Sequence, residues 1–417
     1  MRDRELYKHI LGLKAPWTVV DVELDVGGEE VRVHVAAENG TPMPCSECGV
    51  AAPRYDHRSR RWRHLDTCQF QTILVADVPR VDCPEHGVRQ ARVPWAEPNS
   101  GFTALFETAA IDWLKEASIA AVARRMRPTW DEIDGIMTRA VKRGLGRRKP
   151  EALKRMGVDE TSFQKRHEYV TVVTNLDTSK VLYVADDRKT ESLAGFYRGL
   201  TPGQLAAIEV VAMDMHQPFI KATHAFVPDA ERKVAFDKFH VAKHLGDAVD
   251  LVRRQEHRAL TEKGDHSLKG SKFLWLQNPE NIDPTIFEST FKILQAMNLK
   301  TSRAWAIKET AMGIWTYRLR AWATNAWTKW FTWVARCRLA PMKAAAATIK
   351  NHLAGVLNAI VTRATNAVGE SINSKIQKVK RLSCGFRNRE RFRNAIYFHC
   401  GGLDLYPTAI PVTHTKA

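Results

Sequence analysis

Three short stretches each offer one carboxylate where a strand or helix can turn it toward a shared site: Gly157-Val158-Asp159-Glu160, Ala212-Met213-Asp214-Met215-His216 and Asn366-Ala367-Val368-Gly369-Glu370-Ser371-Ile372-Asn373. The chain carrying them is basic, with 63 Lys+Arg against 46 Asp+Glu and a net charge of +17. Carboxylates gathered by a basic chain suit one task well, holding divalent metal against a phosphodiester. Two Mg²⁺ ions about 3.5–4 Å apart activate the attacking oxygen and stabilise the leaving one. Hard oxygen ligands suit Mg²⁺ or Mn²⁺, and the metal lets neighbouring carboxylates stay ionised. A lone Asp at a strand end is more often a cap or turn residue, so the case rests on the elements that place the three acids.

Those elements follow an order. Alternating and apolar runs predict strands at 156–160, 168–175 and 180–184, a helix at 191–200, a strand at 208–213, a helix at 218–226 and a strand at 233–237. Three meandering strands, then helix, strand, helix, strand, is the order of a ribonuclease-H-like domain. There the first and fourth strands are neighbours, which would bring Asp159 beside Asp214. The third acid lies on a predicted helix, where Asn366, Glu370, Asn373 and Gln377 form one polar stripe beside the apolar Val368, Ile372, Ile376 and Val379. A solvated amphipathic helix would explain both stripes but not two amides, Asn366 and Asn373, framing a single acid. Lys375, Lys378, Lys380, Arg381 and Arg387 follow and are expected to meet phosphates.

The seven cysteines are an odd number and four of them precede residue 84, a distribution that argues for one local metal site rather than a disulfide framework. Cys45-x-x-Cys48 and Cys83-x-x-His86 have the spacing by which tight turns supply pairs of tetrahedral zinc ligands, each pair followed by glycine, Gly49 and Gly87. Strands at 72–76 and 80–82 would join the pairs. Cys68, His57 and His64 lie between them and leave the fourth ligand open. Four protein ligands make this Zn²⁺ structural.

Residues 103–143 have helical period. Thr129 and Glu132 form a capping-box pattern, with Ile133, Ile136 and Met137 as the apolar stripe of the helix it starts. Helix, turn, helix is the arrangement that lays a second helix in a major groove. Arg124, Arg125 and Arg127 before that helix, and Lys142, Arg143, Arg147 and Arg148 after it, are expected on the phosphate backbone, with Thr138 or Arg139 near base edges. An ordinary helical hairpin is the competing reading. Residues 144–150 read as a linker.

Between Asp214 and Glu370 lie 155 residues, most of them helical in pattern and holding seven of the twelve tryptophans. Aromatic packing accounts for most of these, and Trp327, Trp330 and Arg336 are the choices for DNA contact. No apolar run approaches the roughly 20 residues needed to span a bilayer, and the mixed-charge start is unlike a signal peptide. The expectation is a cytoplasmic, nucleoid-associated protein with no membrane partner.

The run from Asn366 through Glu370, Asn373, Ile376 and Val379-Lys380-Arg381 to Gly385-Phe386-Arg387-Asn388 and Phe392-Arg393 resembles the end of the DDE transposases of the ISL-three insertion-sequence family. Phe236-Asp237-Lys238-Phe239-His240 resembles that family's D-x-x-H stretch, and the likeness in domain order covers nearly the whole chain. Two local departures are His86, where the family mostly has cysteine, and Ala367-Val368 before Gly369-Glu370. The resemblance implies Asp159, Asp214 and Glu370 as catalytic triad and two-metal site, with Asp237 and His240 shaping it. The whole then reads as an α/β multidomain chain. A zinc-binding domain at 1–100 and a helix-turn-helix-like segment with linker at 101–150 precede a ribonuclease-H-like core at 151–245. A helical Trp-rich insertion at 246–355 interrupts that core, which resumes at 356–417. The expected activity is Mg²⁺-dependent cleavage and strand transfer on terminal inverted repeats and target DNA, by a homodimer or larger complex. A structure-specific nuclease on the same core, or a transposase-derived regulator that binds without cutting, are the alternatives.

Overall fold

The computed structural model describes residues 3–38, 40–164 and 168–408; Met1 and Arg2 of the mixed-charge start and residues 409–417 of the C-terminal tail lie outside it. The chain divides into two units, one of Met1–Lys149, Val379–Gly385 and Tyr397–Ala417, the other of Pro150–Lys378 and Phe386–Ile396.

In the first unit, β1 (Trp17–Asp25), β2 (Glu30–Ala37), β3 (Arg54–Arg63), β4 (Gln71–Cys83) and β5 (Gly87–Gln90) form one sheet. Its order is β1-β2-β4-β3 with β5 also on β4, and only β2 and β4 run parallel. Alternation in β2 turns Val31, Val33 and Val35 inward. Trp17 and Trp62 meet Trp95 edge-on at 4.8 and 5.4 Å and fill the same core. The two strands expected at 72–76 and 80–82 are one continuous strand, β4. The sequence reading missed β1, β2 and β3. The last of these carries five arginines in ten residues and buries only Trp62, a composition suited to a sheet edge that must stay soluble.

Three helices follow: α1 (Ala104–Glu116), α2 (Ile119–Met126) and α3 (Trp130–Arg147). Thr103, Ser118 and Thr129 cap them by accepting amide protons, and the capping box of Thr129 with Glu132 is present. No glycine makes the turn between α2 and α3; Arg127 takes the left-handed conformation there, at φ +71°. The linker expected at 144–150 is instead largely the last turn of α3. Gly144 lies against Leu403, where a Cβ would stand 2.6 Å from the leucine Cβ, so glycine serves close packing.

In the second unit, β6 (Arg155–Gln164), β7 (Glu168–Asn175), β8 (Lys180–Asp186), β9 (Val210–Met213) and β10 (Val234–Phe236) form a five-stranded sheet of order β8-β7-β6-β9-β10. The first three strands meander antiparallel; β6 and β9, and β9 and β10, are parallel. Helices Thr190–Arg198 and Gln217–Phe226 pack together, with Tyr197 and Thr223 hydroxyls 2.9 Å apart.

Beyond β10 every described element up to the helix of Glu370 is helical. Among them are α4 (Lys238–Thr261), α5 (Arg320–Arg336) and α6 (Leu353–Thr362). α6 fixes β10 directly. Gly355 lets the Phe236 ring approach so closely that a Cβ would be 2.4 Å from it. The Asn358 amide donates to Val234 O at 2.7 Å and Glu231 O at 2.8 Å.

His64 links the sheet to the helices. Its ring Nδ1 lies 2.8 Å from the Thr103 hydroxyl that caps α1, and burial pushes its pKa down to about 4. The folded chain therefore keeps His64 neutral while the unfolded chain protonates it near pH 6.5. Its stabilising contribution is complete above pH 6.5 and is lost as pH falls toward 4, on the order of 3 kcal/mol in all. Thermal unfolding of the parent and of His64→Gln should diverge in slope between pH 7 and pH 4.5, the parent falling more steeply. Parallel curves would remove His64 from the pH dependence.

Candidate active site and zinc site

Strand pairing sets the first two acids. Met156 pairs with Val211 and Gly157 with Ala212 in parallel register. Two residues further along each chain stand Asp159, still in β6, and Asp214, just past the end of β9. Asp159 is held by donors: its Oδ2 accepts from Asn373 Nδ2 at 2.8 Å and Asn366 Nδ2 at 3.2 Å, and its Oδ1 from the Glu160 amide at 2.8 Å. Burial raises its pKa to about 6; the Glu160 amide and His240 oppose the rise, and Asp214 adds to it. Asp214 accepts from the His216 amide at 2.9 Å.

α7 (Ala367–Leu382) carries the third acid. The Asn366 carbonyl accepts the Glu370 amide proton at 2.9 Å, the first bond of the helix. Glu370 is exposed and lies between Asn366 and Asn373 in sequence, and both of those amides reach Asp159. Gln377 continues the same face, donating to Thr161 Oγ1 at 2.9 Å. The three acids do not close on one another as tightly as the zinc ligands described below do.

Two glycines make this arrangement possible. A Cβ on Gly369 would sit 2.4 Å from Asn366 Oδ1, and one on Gly157 would sit 2.7 Å from Thr174 Oγ1 and 3.1 Å from Asn366 Oδ1. The Asn366 side chain occupies the space those two Cβ atoms would need. Its backbone amide donates to Asp237 Oδ2, and Asp237, 6% exposed, also caps α4 through the Phe239 amide at 2.7 Å. Asp237 is thus committed to holding the entry of α7, while His240 faces Asp159 electrostatically. Sequence reasoning placed Asn366 but missed Gly157 and Gly369. Nothing in residue spacing distinguishes a glycine needed for a neighbour's side chain from one needed for a turn.

The donor set fits hard cations. Asp159 and Asp214 offer carboxylate oxygens. Asn366 Oδ1 and Asn373 Oδ1, on the two side chains that hold Asp159, are buried without a hydrogen-bond partner.

In the first unit Cys45, Cys48, Cys83 and His86 bring four ligand atoms within 4.8 Å of one another. Zinc–sulfur bonds of about 2.3 Å in a tetrahedron separate sulfurs by about 3.8 Å. The Cys48 and Cys83 sulfurs are 3.7 Å apart, and Cys83 Sγ is 3.6 Å from His86 Nδ1. Gly49 and Gly87 close the two turns at φ +74° and +64°. The amides of Cys48 and Glu47 hold the Cys45 thiol below its usual pKa. His64, bonded to Thr103, stands apart from this cluster, as do His57 and Cys68. The four ligands suit zinc.

Several basic residues expected on DNA are spent inside the first unit. Arg139 and Arg143 bind Glu107, 1% exposed, at 2.6 and 3.0 Å, and Arg143 also grips Glu97. A buried carboxylate costs too much unpaired to release them. Arg127 donates to Gln69 O at 2.7 Å, Arg147 to Tyr406 O at 2.6 Å and Arg148 to Gly401 O at 2.8 Å. Arg124, Arg125, Lys142, Lys375, Lys378, Arg381 and Arg387 are exposed, and Lys380 is half-buried. Trp327 and Trp330, expected at DNA, are 0% and 2% exposed. They pack edge-on at 5.2 Å, with Trp330 Nε1 donating to Ile307 O. Arg336 is exposed.

Comparison with known families agrees with this layout. A family model described as transposase matches residues 156–396, more than half of the chain. The zinc-finger of transposase IS204/IS1001/IS1096/IS1165 matches 41–86, and the helix-turn-helix domain of transposase family ISL3 matches 91–141. The chain belongs to the ISL3 family of transposases. The transposase for insertion sequence element IS1557 of Mycobacterium tuberculosis is 28% identical over 419 residues, covering 93% of each chain. That of IS1001 from Bordetella parapertussis is 27% identical over 355 residues, covering 84% of this chain and 87% of the relative. Membership implies DNA cleavage and transfer, with a zinc-binding and a helix-turn-helix module for DNA. No helix among the described residues is long and apolar enough to cross a membrane.

Gly369→Ala should displace Asn366 and lower DNA cleavage about a hundredfold, since small misplacements at a reacting centre cost that much. Zinc content and melting temperature should stay near the parent's; unchanged cleavage would show the wedge to be dispensable. Cys83→Ser should lose the single zinc per chain, measured by metal analysis of the purified protein; full zinc retention would exclude this ligand set.

Proposed function

We propose that this transposase cuts and joins DNA with Asp159, Asp214 and Glu370 as its acid triad, on a ribonuclease-H-like core interrupted by a helical insertion. The observation that carries the reading is the pairing of β6 with β9, which sets Asp159 and Asp214 at matching positions, together with the clamp of Asp159 by Asn366 and Asn373 from the helix of Glu370. The sheet order, with the first strand central and parallel to the fourth, supports the ribonuclease-H-like assignment. On this reading the core comprises 151–245 and resumes at 356 after the insertion of 246–355; of the expected final part 356–417, Val379–Gly385 and Tyr397–Ala417 group instead with the first unit.

Asp159, Asp214 and Glu370 would hold Mg²⁺ or Mn²⁺, which supplies activation of the attacking oxygen and charge stabilisation at the leaving one. The protein's own residues prepare the site. Asn366 and Asn373 fix the Asp159 carboxylate, and Asp237 fixes Asn366. The raised pKa of Asp159 marks a carboxylate whose charge lacks compensation from the protein alone. Glu370, exposed in the first turn of α7, can swing toward the two aspartates, and its place near a helix N-terminus favours its charge. Lys375 and Lys378 on the same helix can receive phosphates. The reaction is hydrolysis of the phosphodiester at the element's 3′ end, freeing a 3′-hydroxyl and leaving a 5′-phosphate on the flank, then in-line attack of that hydroxyl on a target phosphodiester with a target 3′-hydroxyl as leaving group. The zinc-binding and helix-turn-helix modules bind the terminal inverted repeats, with Arg124, Arg125 and Lys142 on the backbone. One active site for each end calls for a dimer or larger complex.

Purified protein, labelled DNA carrying the element's own ends and a supercoiled target, mixed with Mg²⁺, should yield joined product. Asp159→Asn, Asp214→Ala and Glu370→Gln should each lower cleavage and joining about a thousandfold while still binding the ends. A variant among these that cuts as well as the parent would remove its carboxylate from the triad. Cleavage governed by DNA shape, with no joining, would instead mark a nuclease.

A further inference from the structure

The helix α5 has two aromatic faces and needs only one of them for packing. Ala323, Trp327, Trp330 and Val334 form its buried stripe. Trp322 and Trp333 point elsewhere, 65% and 43% exposed, while Trp315, just before the helix, and Trp275 are buried. Trp322, Asn325, Lys329 and Trp333 recur at three- and four-residue spacing and so share one helical face. With Tyr317 they line an open groove of about 850 Å³. Aromatic rings in a core stripe need no further account. Two large indoles left in solvent on either side of an exposed lysine do.

The charge around the groove says what fits it. Between Glu309 and Glu370 the sequence contains no Asp or Glu but eight Lys or Arg. Lys329 is the one charged residue lining the groove, so an acidic ligand is favoured there over a basic one. Flat apolar faces combined with cationic charge match a polyanion that presents flat rings. In duplex DNA the rings are stacked inside and unreachable, so the ligand must be unpaired.

The groove is also fastened to the segment leading into the catalytic helix. Arg363, just before Asn366, donates to Trp315 O at 3.3 Å and to Thr316 O at 3.5 Å, and Thr316 lines the groove.

We propose that the groove formed by Tyr317, Trp322, Lys329 and Trp333 binds unpaired nucleotides of a DNA strand, the bases stacking on the indoles and the phosphates meeting Lys329. This deepens the catalytic reading above, resting on it only for the source of the strand. Cutting near an end exposes or frays a few nucleotides, and a stacking site would hold them away from re-annealing.

The test uses the full chain in magnesium-free buffer with a fluorescent oligothymidylate and an otherwise identical oligonucleotide with abasic internal sugars. The parent should bind the oligothymidylate about tenfold or more tightly than the abasic strand, because each stacked base contributes measurably. Trp322→Ala/Trp333→Ala should bind both strands at the abasic level, and Trp322→Phe/Trp333→Phe should keep most of the preference. Equal melting temperatures for the three proteins would show that the variants fold. A parent indifferent to the bases, or an alanine variant that keeps the preference, overturns the proposal and leaves the face to an acidic protein partner. Strand joining by the parent is scored separately. Joining without base-dependent binding overturns the groove alone; base-dependent binding through Trp322 and Trp333 without cleavage supports the groove and overturns the catalytic reading.

Discussion

The side chain of Asn366, fitted into the space left by two absent Cβ atoms, is the contact on which the proposed active site depends. Its carboxamide lies against Gly157 on one strand and Gly369 on α7, and its amide reaches Asp159. Its backbone is held by Asp237 at the end of β10. One residue therefore connects the strand of the first acid, the strand after the second and the helix of the third. Packing this tight is steep: a methyl group on Gly369 forces the asparagine out, and one on Gly157 collides first with Thr174 and Leu176 and crowds it. On the proposed reading, this contact sets where the helix presents Glu370.

The electrostatics of the chain divide its cations between two uses. Arg139 and Arg143 neutralise Glu107 in the interior, where separating charges would leave a carboxylate unsolvated. Arg127, Arg147 and Arg148 satisfy backbone carbonyls within the same unit. Arg124, Arg125, Lys142, Lys375 and Lys378 remain exposed. The Arg–Glu pairs already cancel in the net charge of +17, so the long-range attraction for a polyanion survives them.

The tryptophans divide in a parallel way. Trp275, Trp327 and Trp330 form the core of the helical segment, while Trp322 and Trp333 on the same helix as two of these remain outside. A periodicity of three and four residues is shared by both stripes of α5. The buried stripe is the one that faces Ile307 and its helix, a fact of tertiary packing rather than of pattern.

Sequence alone determined the features set by local geometry and by element order. The capping box of Thr129 with Glu132 and the zinc-ligand pairs at Cys45 and Cys83 depend on spacings of three residues, which turns and helices impose wherever they occur. The order of strands and helices after Pro150 was readable because each strand is a distinct apolar run, and that order carried the neighbouring of β6 and β9. Tertiary structure alone decided the rest. Which arginines are held inside the first unit depended on where Glu107 is buried, and which indoles are exposed depended on the partner helix. The roles of Gly157, Gly369 and Gly144 depended on side chains far away in sequence. Burial and long-range contact convert identical residue types into different functions, and neither quantity is a property of the chain until it has folded.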